Sequence, residues 1–172
     1  LQTIVSRKVS PLESCVITVG KIHGGTAPNI IPEEVILEGT LRTLNNDVRS
    51  VVPNQMKELV ETLAKSYGGS AKFEYLPGYP VLVNDDRMTE VTHNALKGFL
   101  KEEQIKIIEK PDMGGEDFAY IAQTVPSNFM YVGIMKDKPI SHHHPDFHFD
   151  DENLKLLSES LVRSAIAFLE KN

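Results

Sequence analysis

The chain has 172 residues, a net charge of −6 and a single cysteine. A chain of this length makes one medium or two small domains and buries roughly 70% of the surface its unfolded form exposes. Its acidic balance without any basic run excludes a nucleic-acid footprint, no stretch approaches the roughly 18 apolar residues that cross a bilayer, and the lone Cys15 excludes an internal disulfide, which fits a reducing, cytoplasmic setting.

Leu1, Ile4 and Val5 stand at helical spacing with no cap before them, and Ser10-Pro11 ends the pattern. The chain thus opens inside a helix and without a methionine, which reads as the carboxy-terminal part of a longer protein. Leu1 to Lys8 has neither the charged start nor the long apolar core of a secretory signal. Residues 15–23 are rich in β-branched side chains and predict a strand; Cys15, which begins it, reads as a small buried hydrophobe rather than a nucleophile. Gly24 to Asn29 has loop chemistry. Residues 35–44 predict a second strand, antiparallel to the first, whose inner Gly39 marks a bulge or a close approach.

A helix is expected from Asp47, as its cap, to about Tyr67. Val48, Val52, Met56, Leu59, Val60, Leu63 and Tyr67 form its apolar stripe, with Pro53 kinking it or marking its true start and Gly68-Gly69 stopping it. Residues 71–76 alternate as a third strand, with Phe73 and Tyr75 on one face. Strand, strand, helix, strand predicts an α+β layer, an antiparallel sheet with helices on one face. Pro77-Gly78-Tyr79-Pro80 is the expected domain boundary, dividing the chain into residues 1–77 and 78–172.

Beyond it, Asp85 or Asp86 caps a helix to about Leu100, with Met88, Val91, Ala95, Leu96 and Phe99 inward. Residues 104–109 predict a strand and residues 116–123 a short helix. Residues 129–134, continuously apolar, predict a central strand covered on both faces. Asp150 caps a last helix to about Leu169, with Leu154, Leu157, Leu161, Ala165 and Phe168 inward. This order suits the tail of an α/β sheet domain. The stretch contains no repeats, and the chain carries no HExxH, GxSxG, P-loop or GxGxxG motif.

Two stretches carry chemistry. Ser141-His142-His143-His144-Pro145-Asp146-Phe147-His148 holds four of the six histidines. Neutral imidazole is the commonest metal ligand, although a solvated polar loop has the same composition. A tag remnant fits poorly, because the run is internal and broken by Pro145 and Phe147. Met113-Gly114-Gly115-Glu116-Asp117-Phe118 sets two glycines before acids. Glycines admit a ligand close to backbone, while Glu116 and Asp117 read either as an acid/base pair or, more simply, as first-turn acids that complement the helix dipole.

Together, Gly-Gly-Glu-Asp-Phe and, about 25 residues on, His-x-Pro-x-Phe resemble the carboxy-terminal part of the M20 metallo-aminoacylases and peptidases, nearest their hippurate hydrolase and auxin-conjugate hydrolase branch. Thr18 to Pro32 and Glu38 to Thr43 resemble that branch's lid, so the likeness covers nearly the whole chain. The resemblance implies that residues 1–77 are a partial lid or dimerisation domain and that residues 78–172 are the end of an α/β catalytic domain. It implies His143, two positions before Pro145, as a metal ligand, flanked by His142 and His144 as loop or supporting groups. It implies Asn29 and Arg42 as substrate-binding residues that reach the substrate's carboxylate and scissile region, a guanidinium being the natural bidentate partner of a carboxylate, and Gly114-Gly115 as pocket wall with Asp117 supporting it. His23 and His93 read as surface residues.

The implied activity is hydrolysis of the amide of N-acyl amino acids or related small conjugates and peptides, with two divalent metals, zinc or manganese, and a homodimer formed through the lid. The resemblance places the remaining metal ligands and the glutamate base before residue 1, so the chain alone is expected to bind metal weakly or not at all and to be inactive. The contrasting expectation is a non-catalytic dimerisation or small-molecule binding module of the same ancestry.

Overall fold

The computed structural model describes residues 1–134 and 140–170. Two compact units divide the chain: Leu1–Val81 with Lys110–Gly115, and Leu82–Glu109 with Glu116–Asn172.

In the first unit, helix α1 (Gln2–Arg7) precedes strands β1 (Cys15–His23) and β2 (Ile36–Thr43), and helix α2 (Asn46–Ser66) follows. The strands form an antiparallel ribbon from Cys15 opposite Thr43 to His23 opposite Ile36. The register slips between Val19 and Lys21, so the bulge falls at Gly20 on β1. Gly39 lies opposite Val19, and a Cβ there would overlap the Thr18 carbonyl; the close approach expected at Gly39 is met across the ribbon. Alternation turns Cys15 and Ile17 inward and leaves Val16 outside. Ile4, Cys15, Ile17 and Val52 form the core, with Leu41, Val48, Met56 and Leu59 packed around it. Both helices therefore lie on the inward face of the ribbon.

Helix α2 is capped by Asn45 rather than Asp47: its side-chain oxygen accepts from the amides of Asp47 at 2.7 Å and Val48 at 3.4 Å. The helix runs through Pro53, whose ring is buried beside Val52. The expected apolar stripe is inward as far as Val60, but Leu63 and Tyr67 on the last turns are exposed. Gly68, at φ +79°, ends the helix in a backbone conformation that glycine adopts without strain.

The second unit holds helix α3 (Asp86–Lys97), a 3₁₀ turn (Glu102–Gln104), helix α4 (Phe118–Ala122) and helix α5 (Glu152–Glu170). Asp85 caps α3 by accepting from Met88 N at 2.9 Å, and Asp150 accepts from Glu152 N at 3.1 Å where α5 begins. The expected inward side chains of α3 are buried or half-buried.

Helix α5 corrects its expectation. Its less exposed face carries Leu156, Ser160, Ser164 and Ala167, with Ser160 buried, and the helix packs against α3. The Ser160 and Ser164 hydroxyls donate to the carbonyls of Leu156 and Ser160, both at 2.7 Å, so small side chains with satisfied hydroxyls can sit on the covered face. Arg163 adds its guanidinium over the Phe99 ring, 4.8 Å from the centroid. The stripe of Leu154, Leu157, Leu161, Ala165 and Phe168 faces outward instead.

Residues 71–76, 104–109 and 129–134 are not strands, contrary to their pattern. The reason is the same in each case: a strand needs a ladder partner, and among the described residues none forms a ladder with them. Phe73 and Tyr75 still alternate with exposed neighbours, and Lys72 pairs with Glu74, two positions on, as extended backbone allows. That ion pair holds the Glu74 carboxyl below and the Lys72 ammonium above their ordinary ranges, through their mutual hydrogen bond and charge. At Phe129 a side chain replaces the missing strand. Asn84 accepts from Phe129 N at 2.7 Å and donates to Phe129 O at 3.0 Å. The segment is also not covered on both faces, since Tyr131 is exposed.

Candidate functional site

Strand β2 brings Arg42 to the 110–115 segment. Its Nη1 donates to the Met113 carbonyl at 2.7 Å. One residue on, Gly114 N donates to the Asp112 carboxylate at 2.7 Å, a turn in which the aspartate side chain closes back on the backbone two positions later. At Gly115 the limit is steric: a Cβ would lie 3.3 Å from Cδ2 of Tyr79. A guanidinium at Met113 and an aromatic ring at Gly115 therefore flank the glycine pair. Only one of the five Arg42 N–H groups is used by Met113, leaving others for a carboxylate.

Asn29 is placed elsewhere. It is exposed in the loop that joins His23 to Ile36, whereas Arg42 pairs with Val16 near the other end of the ribbon. Arg42 lies six residues along β2 from Ile36, about 20 Å of ribbon. Arg42 and Gly114-Gly115 come together within the first unit; Asn29 is not brought to them by the ribbon.

Glu116 accepts from Phe118 N at 3.2 Å, so it acts as a cap at the start of α4, while Asp117 makes no side-chain cap bond. Both acids precede the first turn of α4, which carries none, so the first-turn placement expected for them is not met. Phe118 packs its ring 5.6 Å from that of Phe129.

The histidine run folds as turns, with His144 N bonded to Ser141 O at 2.9 Å and Phe147 N to His144 O at 3.0 Å. His142 stands edge-on to Phe147, their centroids 5.4 Å apart. His144 Nδ1 accepts from Asp146 N at 3.1 Å. His148 Nδ1 lies 3.0 Å from Asp146 O, where it must donate, which leaves its Nε2 as an acceptor. His143 is exposed, and among the described residues its ring has no hydrogen-bonding partner. The turns engage three histidine rings and leave His143 open. Among the described residues no three His, Cys, Asp or Glu side chains converge to hold a metal. This donor set does not by itself fit a two-metal centre.

Sequence reasoning missed Asp112, Met113 and Tyr79. An aspartate two positions before a glycine is a readable turn signal; a bond to a backbone carbonyl from a distant strand has none. Cys15, buried in the core, has its thiol pKa pushed up by that burial and is no nucleophile.

The profile of peptidase family M20/M25/M40 matches residues 4–167. The chain belongs to that family. Its M20 relatives include an N-acetyl-L-cysteine deacetylase of Bacillus subtilis, 36% identical over all of this chain and 40% of its own length. An N-acetyldiaminopimelate deacetylase of Streptococcus sanguinis is 35% identical over 94% of this chain and 42% of its own. Among solved structures, an aminohydrolase from methicillin resistant Staphylococcus aureus superposes with a TM-score of 0.79 at 34% identity, covering 96% of this chain and 43% of that one. A Bacillus subtilis dinuclear metal binding peptidase from the M20 family does so with a TM-score of 0.79 at 28% identity, covering 99% and 45%. The chain thus spans about two fifths of the length of the curated M20 relatives it matches. The α+β class expected from the sequence agrees with these neighbours. No described helix is long and apolar enough to cross a membrane.

Proposed function

We propose that this chain supplies the substrate-holding part and one metal ligand of a metal-dependent amidohydrolase that cleaves the amide of N-acyl amino acids or related small conjugates. The observation that carries the reading is the bond from Arg42 to Met113 O, which sets a guanidinium beside Gly114. A carboxylate docked on Arg42 would lie against glycine backbone that admits close approach. The deacetylases among the relatives act, by their names, on substrates that carry such a carboxylate.

In this reading residues 1–77 are the lid, and residues 78–172 belong to the catalytic domain. His143 holds one of two divalent ions, zinc or manganese. Asn29, at the far end of the ribbon from Arg42, acts on substrate held by another copy of the chain, in a homodimer formed through the lid. The exposed Ile22, Ile36 and Leu37 on the ribbon supply apolar surface for that pairing. A free, buried Cys15 suits the cytoplasm.

The experiment joins this chain to the amino-terminal portion of the Bacillus subtilis N-acetyl-L-cysteine deacetylase and assays a panel of N-acyl amino acids. Turnover that needs added divalent metal and the substrate carboxylate is expected. A chimera that folds, loads metal and hydrolyses none of the panel would refute the reading.

A further inference from the structure

Pro77-Gly78-Tyr79-Pro80 is more than a connector. Arg49 on α2 donates from Nη2 to Gly78 O at 2.5 Å, and Val81 N donates to Asn46 Oδ1 at 3.4 Å. Prolines on either side of Gly78-Tyr79 further restrict the backbone. The segment is thereby pinned to the first turns of α2, and the pinning sets the Tyr79 ring against Gly115. The tyrosine remains 51% exposed, so it also presents surface to solvent. Gly115 is two residues from Met113, which Arg42 holds, so their Cα atoms are within about 7 Å.

We infer that Tyr79 determines substrate specificity: it forms an apolar wall beside the Arg42 carboxylate site and selects N-acyl amino acids with an aromatic or large apolar side chain. This rests on the carboxylate-binding reading of Arg42. The side chain of an amino acid leaves the carbon that bears its carboxylate. A carboxylate on Arg42 therefore brings that side chain, rather than the acyl group, nearest to the guanidinium's surroundings. The Tyr79 ring, set against Gly115 two residues beyond the Arg42-bound Met113, offers that side chain a stacking surface. Gly115 keeps the surface available, because any larger residue there would push against Cδ2.

The test measures binding of N-acetyl-L-phenylalanine and N-acetylglycine to the 172-residue chain by ligand-observed NMR. Tyr79→Ala should weaken N-acetyl-L-phenylalanine about fivefold, as loss of one aromatic contact does, and leave N-acetylglycine unchanged. Tyr79→Phe should preserve both affinities. Tyr79→Leu keeps an apolar side chain and guards against collapse of the segment; it should fall between. Arg42→Ala should weaken both probes. If Tyr79→Ala and Tyr79→Leu weaken both probes equally, or neither, the specificity role is overturned while the carboxylate site stands. If Arg42→Ala leaves both unchanged, or the unaltered chain binds neither, the carboxylate site fails and this role with it.

Discussion

The guanidinium of Arg42 donates to the carbonyl of Met113 at 2.7 Å, between residues 71 positions apart. The bond draws the 110–115 segment into the first unit and fixes a cation next to a glycine pair. Arg42→Ala should cost about 1 kcal/mol of stability, since the bond is exposed. It should also weaken an N-acyl amino acid at least tenfold while leaving the matching amide, which lacks the carboxylate, unaffected. Arg42→Lys should recover only part of the loss, because an ammonium lacks the fork. Calorimetric titration with the acid and the amide decides the point.

His143 is the histidine whose ring the turns leave open. In the chimeric enzyme, His143→Ala should lower metal content from two ions to one per chain and abolish turnover. His142→Ala should leave metal content unchanged. His148, with Nε2 open, is the informative control: equal metal loss in His148→Ala and none in His143→Ala would move the ligand role to it. Elemental analysis of dialysed protein reads the result.

Gly39 faces the Thr18 carbonyl with no room for a Cβ. The neighbour is backbone, so relief requires the ribbon to shift. Gly39→Ala should destabilise the first unit by about 1–3 kcal/mol. Gly78→Ala, with nothing near its Cβ position, should change stability by less than about 0.5 kcal/mol. Thermal unfolding followed by circular dichroism compares the two.

Asn84 gives Phe129 a donor and an acceptor at once. Asn84→Ala leaves both backbone groups to water and should cost about 1–2 kcal/mol. Asn84→Asp keeps the acceptor and should cost less. Hydrogen exchange at Phe129 N should quicken in the alanine variant and stay slower in the aspartate one.

Burial raises the Cys15 thiol pKa in the folded chain. The folded state then holds the proton where the unfolded state, with a thiol pKa of about 8.5, has lost it. The associated stability is complete below that unfolded value and declines as pH rises from it through the folded pKa. Denaturant titrations from pH 7 to 10 should show an alkaline decline that is smaller in Cys15→Ala. Alkylation of Cys15 by iodoacetamide should be slow until the chain is unfolded.

The chemistry of the candidate site was legible unevenly. Gly114-Gly115 stands out as a residue type in a short pattern, whereas the family resemblance singles out His143 from its neighbours; the structure places Gly114 beside Arg42 and leaves His143 open. Asn29 and Arg42 are 13 positions apart on two sides of a ribbon end, yet the register carries Arg42 away from the loop. Tyr79 read as a turn residue because its partner, Gly115, lies far along the chain and has no side chain to mark the contact.

Helices were determined by the sequence itself, because each closes its backbone hydrogen bonds within a few residues. Local signals such as the capping Asp85 and the stop at Gly68-Gly69 therefore suffice. The ribbon was legible for a related reason: its two strands are joined by one loop. Tertiary structure alone decided the rest. Residues 71–76, 104–109 and 129–134 have strand patterns but no ladder, since a strand exists only where another backbone meets its polar groups. Helix α5 has two faces that can pack, and the face with Ser160 and Ser164, not the leucine stripe, is the covered one. Periodicity reports which residues share a face; only the neighbour that arrives decides which face is buried.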